Sequence, residues 1–225
     1  MSSTYNRAAF FDLDGTLTDN TSCWVDVHKD FGVHKESSEN FRAYIRGDFG
    51  YEEFMKRDIG AWIKKRGRVH ESEIKEIVSR IEITNGAREL CKYLKENKYY
   101  LAIVSGGFSL AAEPVARLLE IDCVHANGFI LDERGYLTGD GIKIVDPKDK
   151  SPNVRKICGE IKIEKKNRIA VGDAIWDRGL FEEVEVGIAF CPKKDDEIRN
   201  IATRIVEERD LRKVIEILEA QKKES

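Results

Sequence analysis

The sequence predicts an α/β protein: a parallel sheet with helices on both faces, interrupted by an inserted helical cap. Three observations predict it. Four short runs, Ala8–Phe11, Leu101–Val104, Ile169–Gly172 and Val186–Phe190, are continuously apolar and end at polar residues or glycine. Patterns of helical period separate the later runs. From about Thr21 to Ile83 no strand pattern is visible.

Each run is too short for a helix. Continuous rather than alternating apolarity suits a strand covered on both faces. After the first run come helical, aromatic-rich stretches at Trp24–Phe31, Glu39–Ile45, Tyr51–Lys65 and Glu71–Ile81. Gly86–Asn97 comes next as a helix with Leu90, Tyr93 and Leu94 on one face. The second run is succeeded by a helix over Ser109–Leu119, which Pro114 is expected to kink. Phe129–Leu137, centred on Glu133-Arg134-Gly135, predicts a hairpin. Ser151–Ile161 begins with Ser then Pro, an N-cap and then N1. Asp210–Ala220 closes the chain with Leu211, Val214, Ile215 and Leu218 at helical spacing. Strands alternating with helices give a parallel sheet. The division expected is residues 1–20 and 84–225 as an α/β core, with 21–83 as the cap.

Composition limits what the chain does. Charged residues are 35% of 225, well above the usual ~25%. The balance is even, 38 basic against 41 acidic, for a formal charge of -3. A nucleic-acid partner is therefore not expected, since such surfaces carry a basic surplus. No run approaches the ~18 apolar residues of a membrane span. The start, Met1 to Arg7, lacks the apolar stretch of a signal peptide. Five scattered cysteines, never spaced C-x-x-C, read as free thiols in a reducing cytoplasm. The oligomeric state is left open.

The chemistry lies just beyond the end of each run. Ala8–Phe11 leads into Asp12-Leu13-Asp14-Gly15-Thr16, Leu101–Val104 into Ser105-Gly106-Gly107, and Ile169–Gly172 into Asp173. Ligands of open parallel sheets bind beyond the carboxyl ends of the strands. Acids and a hydroxyl thus meet at one edge. Clustered carboxylates repel unless a cation joins them, and hard oxygens without His or Cys suit Mg²⁺. Gly15, Thr16, Gly106 and Gly107 are expected to leave backbone N–H groups free for an anion. Lys150, before the predicted helix start, is the preferred counter-charge, with Lys148 and Lys143 as competitors.

Asp12-Leu13-Asp14-Gly15-Thr16, then Ser105, then Lys150, then Gly172-Asp173 with Asp177 resemble, in order, the four motifs of the haloacid dehalogenase superfamily. Val104-Ser105-Gly106-Gly107-Phe108 and Leu137-Thr138-Gly139-Asp140 look most like its phosphoserine phosphatase-like branch, with a helical cap after the first motif. The resemblance implies a Rossmann-like core and a cytoplasmic, Mg²⁺-dependent phosphomonoesterase acting on a small phosphorylated metabolite. In it Asp12 is the nucleophile that becomes an aspartyl-phosphate, and Asp14 is the acid and base. Ser105 and Lys150 hold the phosphoryl oxygens. The metal falls to Asp12, the backbone carbonyl of Asp14, and Asp173. Asp177 anchors metal-bound water or orients Lys150. The alternatives are a phosphotransferase of the same fold and a receiver-like domain that accepts phosphate without turnover.

The sequence departs from that branch at three places. Trp176 replaces the amide of the fourth motif. Thr21 and Asp58 stand where the branch carries a Glu for an ammonium and an Arg for a carboxylate, with Arg57 one residue away. Asp58 would repel a substrate carboxylate, so phosphoserine is expected to be a poor substrate. Ser22, Trp24 and His28 are expected to face the leaving group.

Overall fold

The computed structural model describes residues 5–224. Met1–Thr4 of the N-terminal start and Ser225 of the charged tail lie outside them. The chain runs β1 (Arg7–Phe11), four helices α1 (Cys23–Asp30), α2 (His34–Arg46), α3 (Tyr51–Arg66) and α4 (Glu71–Val78), then α5 (Ala87–Glu96) and β2 (Tyr99–Phe108). It continues through α6 (Ser109–Leu118), β3 (Cys123–Leu131), β4 (Leu137–Ile142), α7 (Ser151–Ile161) and β5 (Arg168–Gly172). Last come α8 (Arg178–Glu182), β6 (Val186–Phe190), α9 (Ile198–Ile201), β7 (Arg204–Val206) and α10 (Arg212–Glu224).

The seven strands form one sheet in the order β4-β3-β2-β1-β5-β6-β7. Every pairing is parallel except β3 with β4. β1 lies between β2 and β5, so connections leave to opposite sides of it, and the carboxyl ends there form the crevice where such sheets bind ligands. Ala8, Ala9, Phe10 and Phe11 are wholly buried, one alternate set against each layer of the core. That two-sided cover is why the run is apolar throughout.

β3 does two jobs. Its first half pairs parallel with β2, and its second half turns through Glu133-Arg134-Gly135 into antiparallel β4. The hairpin expected from sequence is therefore the outer end of a longer strand. α6 runs on through Pro114.

α1 to α4 do not stand apart from the sheet. Trp24, Val27, Phe31, Phe54 and Trp62 belong to the same apolar cluster as Leu90, Leu101, Ile103 and Phe108. Trp24 lies at the join, with ring centroids 5.3 Å from both Trp62 and Phe108 and 5.8 Å from Phe129. The β-hairpin also touches the helices. The Leu137 amide donates to the Val69 carbonyl at 2.9 Å, and Lys56 pairs with Asp140 at 3.0 Å. No helix among the described residues is long and apolar enough to cross a membrane.

Candidate active site

β1 ends by placing Asp12 beside Val171 of β5, whose carbonyl accepts the Asp12 amide at 3.0 Å. The chain then turns at once. Gly15 has φ +81°, a conformation costly for residues with a Cβ, and a Cβ there would stand 2.6 Å from Asp173 Oδ2. Glycine thus lets the carboxylate at the end of β5 lie against the first loop. The same turn corrects an expectation. Gly15 N–H donates to Thr18 O at 3.1 Å and Thr16 N–H to Leu13 O at 3.3 Å, so neither is free for an anion. The reversal consumes them internally. Gly107 N–H is likewise engaged, by Ser105 Oγ at 2.9 Å.

Lys150 is the lysine that reaches the acids. Its Nζ donates to Asp12 Oδ1 and Asp177 Oδ1, both at 2.7 Å, and its side chain is 2% exposed. Lys148 instead donates to Tyr44 O of α2 at 2.8 Å, and Lys143 pairs with Glu52. Lys150 itself occupies the N-cap of α7, and Ser151, expected there, is the first helical residue. Asp149 does the capping, accepting Ser151 N–H at 3.0 Å and Ser151 Oγ at 2.7 Å. A lysine at the N-cap has no cap acceptor to offer, and its side chain is drawn instead to the carboxylates.

Asp177 is fully buried and fully engaged. Its Oδ1 takes Lys150, and its Oδ2 accepts the amides of Asp173 at 2.9 Å and Ala174 at 3.3 Å. It orients Lys150 and closes the loop after β5. Oxygens of Asp12, Asp173 and Asp177 lie within 4.8 Å of one another. Two like charges near 4 Å cost about 4 kcal/mol at moderate effective dielectric. Burial pushes the Asp173 carboxyl up to about 8, and the charges of Asp177 and Asp12 add to it. Burial also raises Asp12, despite the adjacent ammonium. Burial alone would depress Lys150, yet Asp12 and Asp177 hold it above its ordinary value. Three carboxylates against one ammonium leave a negative surplus. An all-oxygen donor set with that surplus fits a hard divalent cation.

Asp14 lies beside this cluster but is not part of it. Its Oδ1 accepts Asn20 Nδ2 at 2.9 Å and the Cys23 amide at 3.0 Å. Ser105, 1% exposed, faces the same space: a Cβ on Gly107 would stand 3.1 Å from both Ser105 Oγ and Asp14 Oδ2.

The helical segment corrects several expectations. Asp58 does not confront the site as an unpaired charge. It is wholly buried, held by His28 Nε2 at 3.1 Å, Ser37 Oγ at 3.1 Å and Asn40 Nδ2 at 2.8 Å. The repulsion expected of it is spent inside the helices. His28 is buried between Asp58 and Trp62, accepting Trp62 Nε1–H at Nδ1, 2.8 Å away. Trp24 points its indole N–H at Gly106 O, at 3.3 Å, and buries its ring. That carbonyl also accepts Tyr51 Oη at 2.6 Å and Asn127 Nδ2 at 3.0 Å. Trp24 thus steadies the end of β2 that carries Ser105 rather than lining open space. Ser22 is the half-buried N-cap of α1, Thr21 is exposed, and Arg57 faces outward to Glu53. Trp176 meets Phe41 of α2 edge-on at 6.2 Å.

Sequence reasoning missed Asn20, Tyr51 and Asn127. Asn20 acts within the turn after β1, whereas Tyr51 of α3 and Asn127 of β3 act on Gly106 of β2, and only an asparagine in a turn-rich stretch marks the first of them.

The family model for haloacid dehalogenase-like hydrolases matches residues 6–183. A phosphoserine phosphatase from Archaeoglobus fulgidus is 34% identical over 197 residues, 85% of this chain but 55% of that protein, so the chain spans about half of its length. One from Methanocaldococcus jannaschii is 29% identical over 213 residues, covering 94% of this chain and 97% of the other. A solved phosphoserine phosphatase, a phospho-aspartyl intermediate analogue, aligns with TM-score 0.79 at 27% identity over 95% of this chain and 99% of its own.

Proposed function

This chain belongs to the haloacid dehalogenase-like hydrolases, and we propose that it is a phosphomonoesterase that works through an aspartyl-phosphate on Asp12. The observation that carries the reading is the Lys150 ammonium held 2.7 Å from both Asp12 and Asp177, beside Asp173 and Ser105 at the ends of β1, β2 and β5. Lys150 opposes the burial that raises the Asp12 carboxyl and occupies Oδ1, which leaves its other oxygen to attack phosphorus. Asp14 gives a proton to the departing alkoxide and later takes one from the water that hydrolyses the intermediate. Ser105 and Lys150 donate to the phosphoryl oxygens.

Asp12, the Asp14 carbonyl and Asp173 would hold Mg²⁺, with Asp177 behind them. Such an ion supplies neutralisation of the charge that builds on the phosphoryl group in transfer. Residues 21–83 serve as the lid over the leaving group and exclude water. The substrate is a small phosphorylated metabolite, and neither nucleic acid nor membrane enters the reading. A cytoplasmic setting is supported by cysteines that remain free among the described residues.

The receiver-like alternative is disfavoured by Asp14, an acid and base that a non-turning switch does not use. The relatives' names make L-phosphoserine the first ester to test. Thr21, a neutral hydroxyl, favours a weak grip on its ammonium. The test is phosphate release from a panel of phosphorylated metabolites under saturating Mg²⁺, with L-phosphoserine beside uncharged alkyl esters. Multiple turnover on any of them supports the reading. No release from any would overturn it.

A further inference from the structure

We infer that Asn20 is a positioning residue for Asp14, and that it couples the acid and base to the first helix of the inserted segment. The inference rests on the phosphatase reading of Asp14. One nitrogen of Asn20 carries two hydrogens and spends both on carboxylates: Asp14 Oδ1 at 2.9 Å and Asp26 Oδ2 of α1 at 2.9 Å. Its Oδ1 faces Thr18 Oγ1 at 2.8 Å. The amide cannot be turned over, because its oxygen would then confront both carboxylates.

Asp14 Oδ1 receives a second donor, the amide of Cys23, the first residue of α1. Two N–H groups therefore pin the same oxygen, and both come from the stretch that enters α1. Oδ2 takes neither of these N–H groups and is turned toward Ser105 Oγ, Gly107 and the Cys23 thiol. It is the oxygen presented to the leaving group. In the first step its O–H bond breaks and the proton passes to the ester oxygen. The P–O bond to that oxygen breaks with its electron pair, as the bond from Asp12 to phosphorus forms. Without Asn20 the Asp14 carboxyl keeps only the Cys23 amide on Oδ1, and the proton is aimed less tightly. A displacement of α1 has the same effect, since it carries both Cys23 and Asp26 away. The acid is thus assembled only when α1 is seated.

The test separates aim from fold. General-acid help matters when the leaving alcohol is a poor one and hardly at all for a phenolate that departs unaided. Asn20→Ala is assayed on the alkyl ester glycerol 2-phosphate and on p-nitrophenyl phosphate. Positioned proton transfer is worth at least ~100-fold, so single-turnover release of alcohol from the alkyl ester, which precedes the hydrolysis step common to both esters, should fall by about that factor, while single-turnover release from the aryl ester stays within about threefold. Asp26→Ala, at a half-buried helix position, loosens Asn20 without removing it. It should show the same selectivity at about fivefold, and it decides the matter if Asn20→Ala does not fold. Equal losses on both esters, or no loss on either, overturn the inference and leave the phosphatase reading standing. A wild-type protein inert on both esters overturns the phosphatase reading itself and this inference with it.

Discussion

Two buried charge clusters lie in this molecule, and they are built to opposite ends. In the helical segment, Asp58 is a single carboxylate met by three donors, His28, Ser37 and Asn40, and His28 is in turn met by Trp62. Nothing is left over. At the strand ends, Asp12, Asp173 and Asp177 share one ammonium, and burial with mutual repulsion pushes Asp173 up to about 8. There charge is left over, and that surplus is what a cation and a phosphoryl group can use. Burial of charge is common to both clusters. Incomplete compensation belongs to the reactive one.

The contrast can be broken at four points. Asp12→Asn should have the largest effect. A neutral amide cannot attack phosphorus, so turnover should drop by at least ~10⁴-fold. The melting temperature should stay level or rise, because one repelling charge is gone. Multiple-turnover hydrolysis by a pure Asp12→Asn protein would refute the covalent reading. Next comes the cation. Excess chelator should abolish phosphate release and Mg²⁺ should restore it, whereas Ca²⁺ should inhibit, since it takes more ligands at longer distance and would engage both oxygens of Asp12. Full activity in chelator would contradict the cation assignment.

Asp58→Ala should do the reverse of Asp12→Asn. Removing the shared acceptor leaves buried donors of His28, Ser37 and Asn40 unmet, at about 1–3 kcal/mol each, read by denaturant unfolding. The kcat of the protein that remains folded should change little. A large kcat loss at unchanged stability would place Asp58 in the chemistry and dissolve the comparison. Trp24→Phe should be the mildest. It keeps the ring and removes one of three donors to Gly106 O, a loss of about 1 kcal/mol. Relative kcat/KM between esters should shift by a few-fold, and a uniform loss across esters would limit Trp24 to packing.

The residues at the strand ends were legible in the sequence for a simple reason. A strand buried on both faces must be apolar, so the first acid after it announces both the end of the strand and the edge of the sheet. That is why Asp12, Ser105 and Asp173 could be read from spacing. Lys150 is preferred in the sequence over Lys148 and Lys143 only for its place before a helix start, because which side chain reaches Asp12 depends on the fold. The cap start at Ser151 was misread because Asp149 supplies the capping oxygen. β7 is three residues long at the sheet edge, two of them exposed, and offered no pattern. The parallel half of β3 was hidden by His125 and Asn127, polar residues in a strand that borders the site. Tyr51 acts on Gly106, far along the chain, and Asn20 acts across a turn on Asp14 and Asp26, relations that no helix or strand period encodes.

The apolar cluster that runs unbroken from Trp62 and Trp24 to Phe108 and Leu101 bears on the chain as a folding object. A helical segment joined to the sheet by aromatic rings cannot melt alone without baring the face of the sheet beneath it. Amide protons in α3 and in β2 should therefore exchange with solvent through the same opening event, with one protection energy between them. The segment inserted after β1 and the sheet that receives it are thus expected to unfold as one cooperative unit.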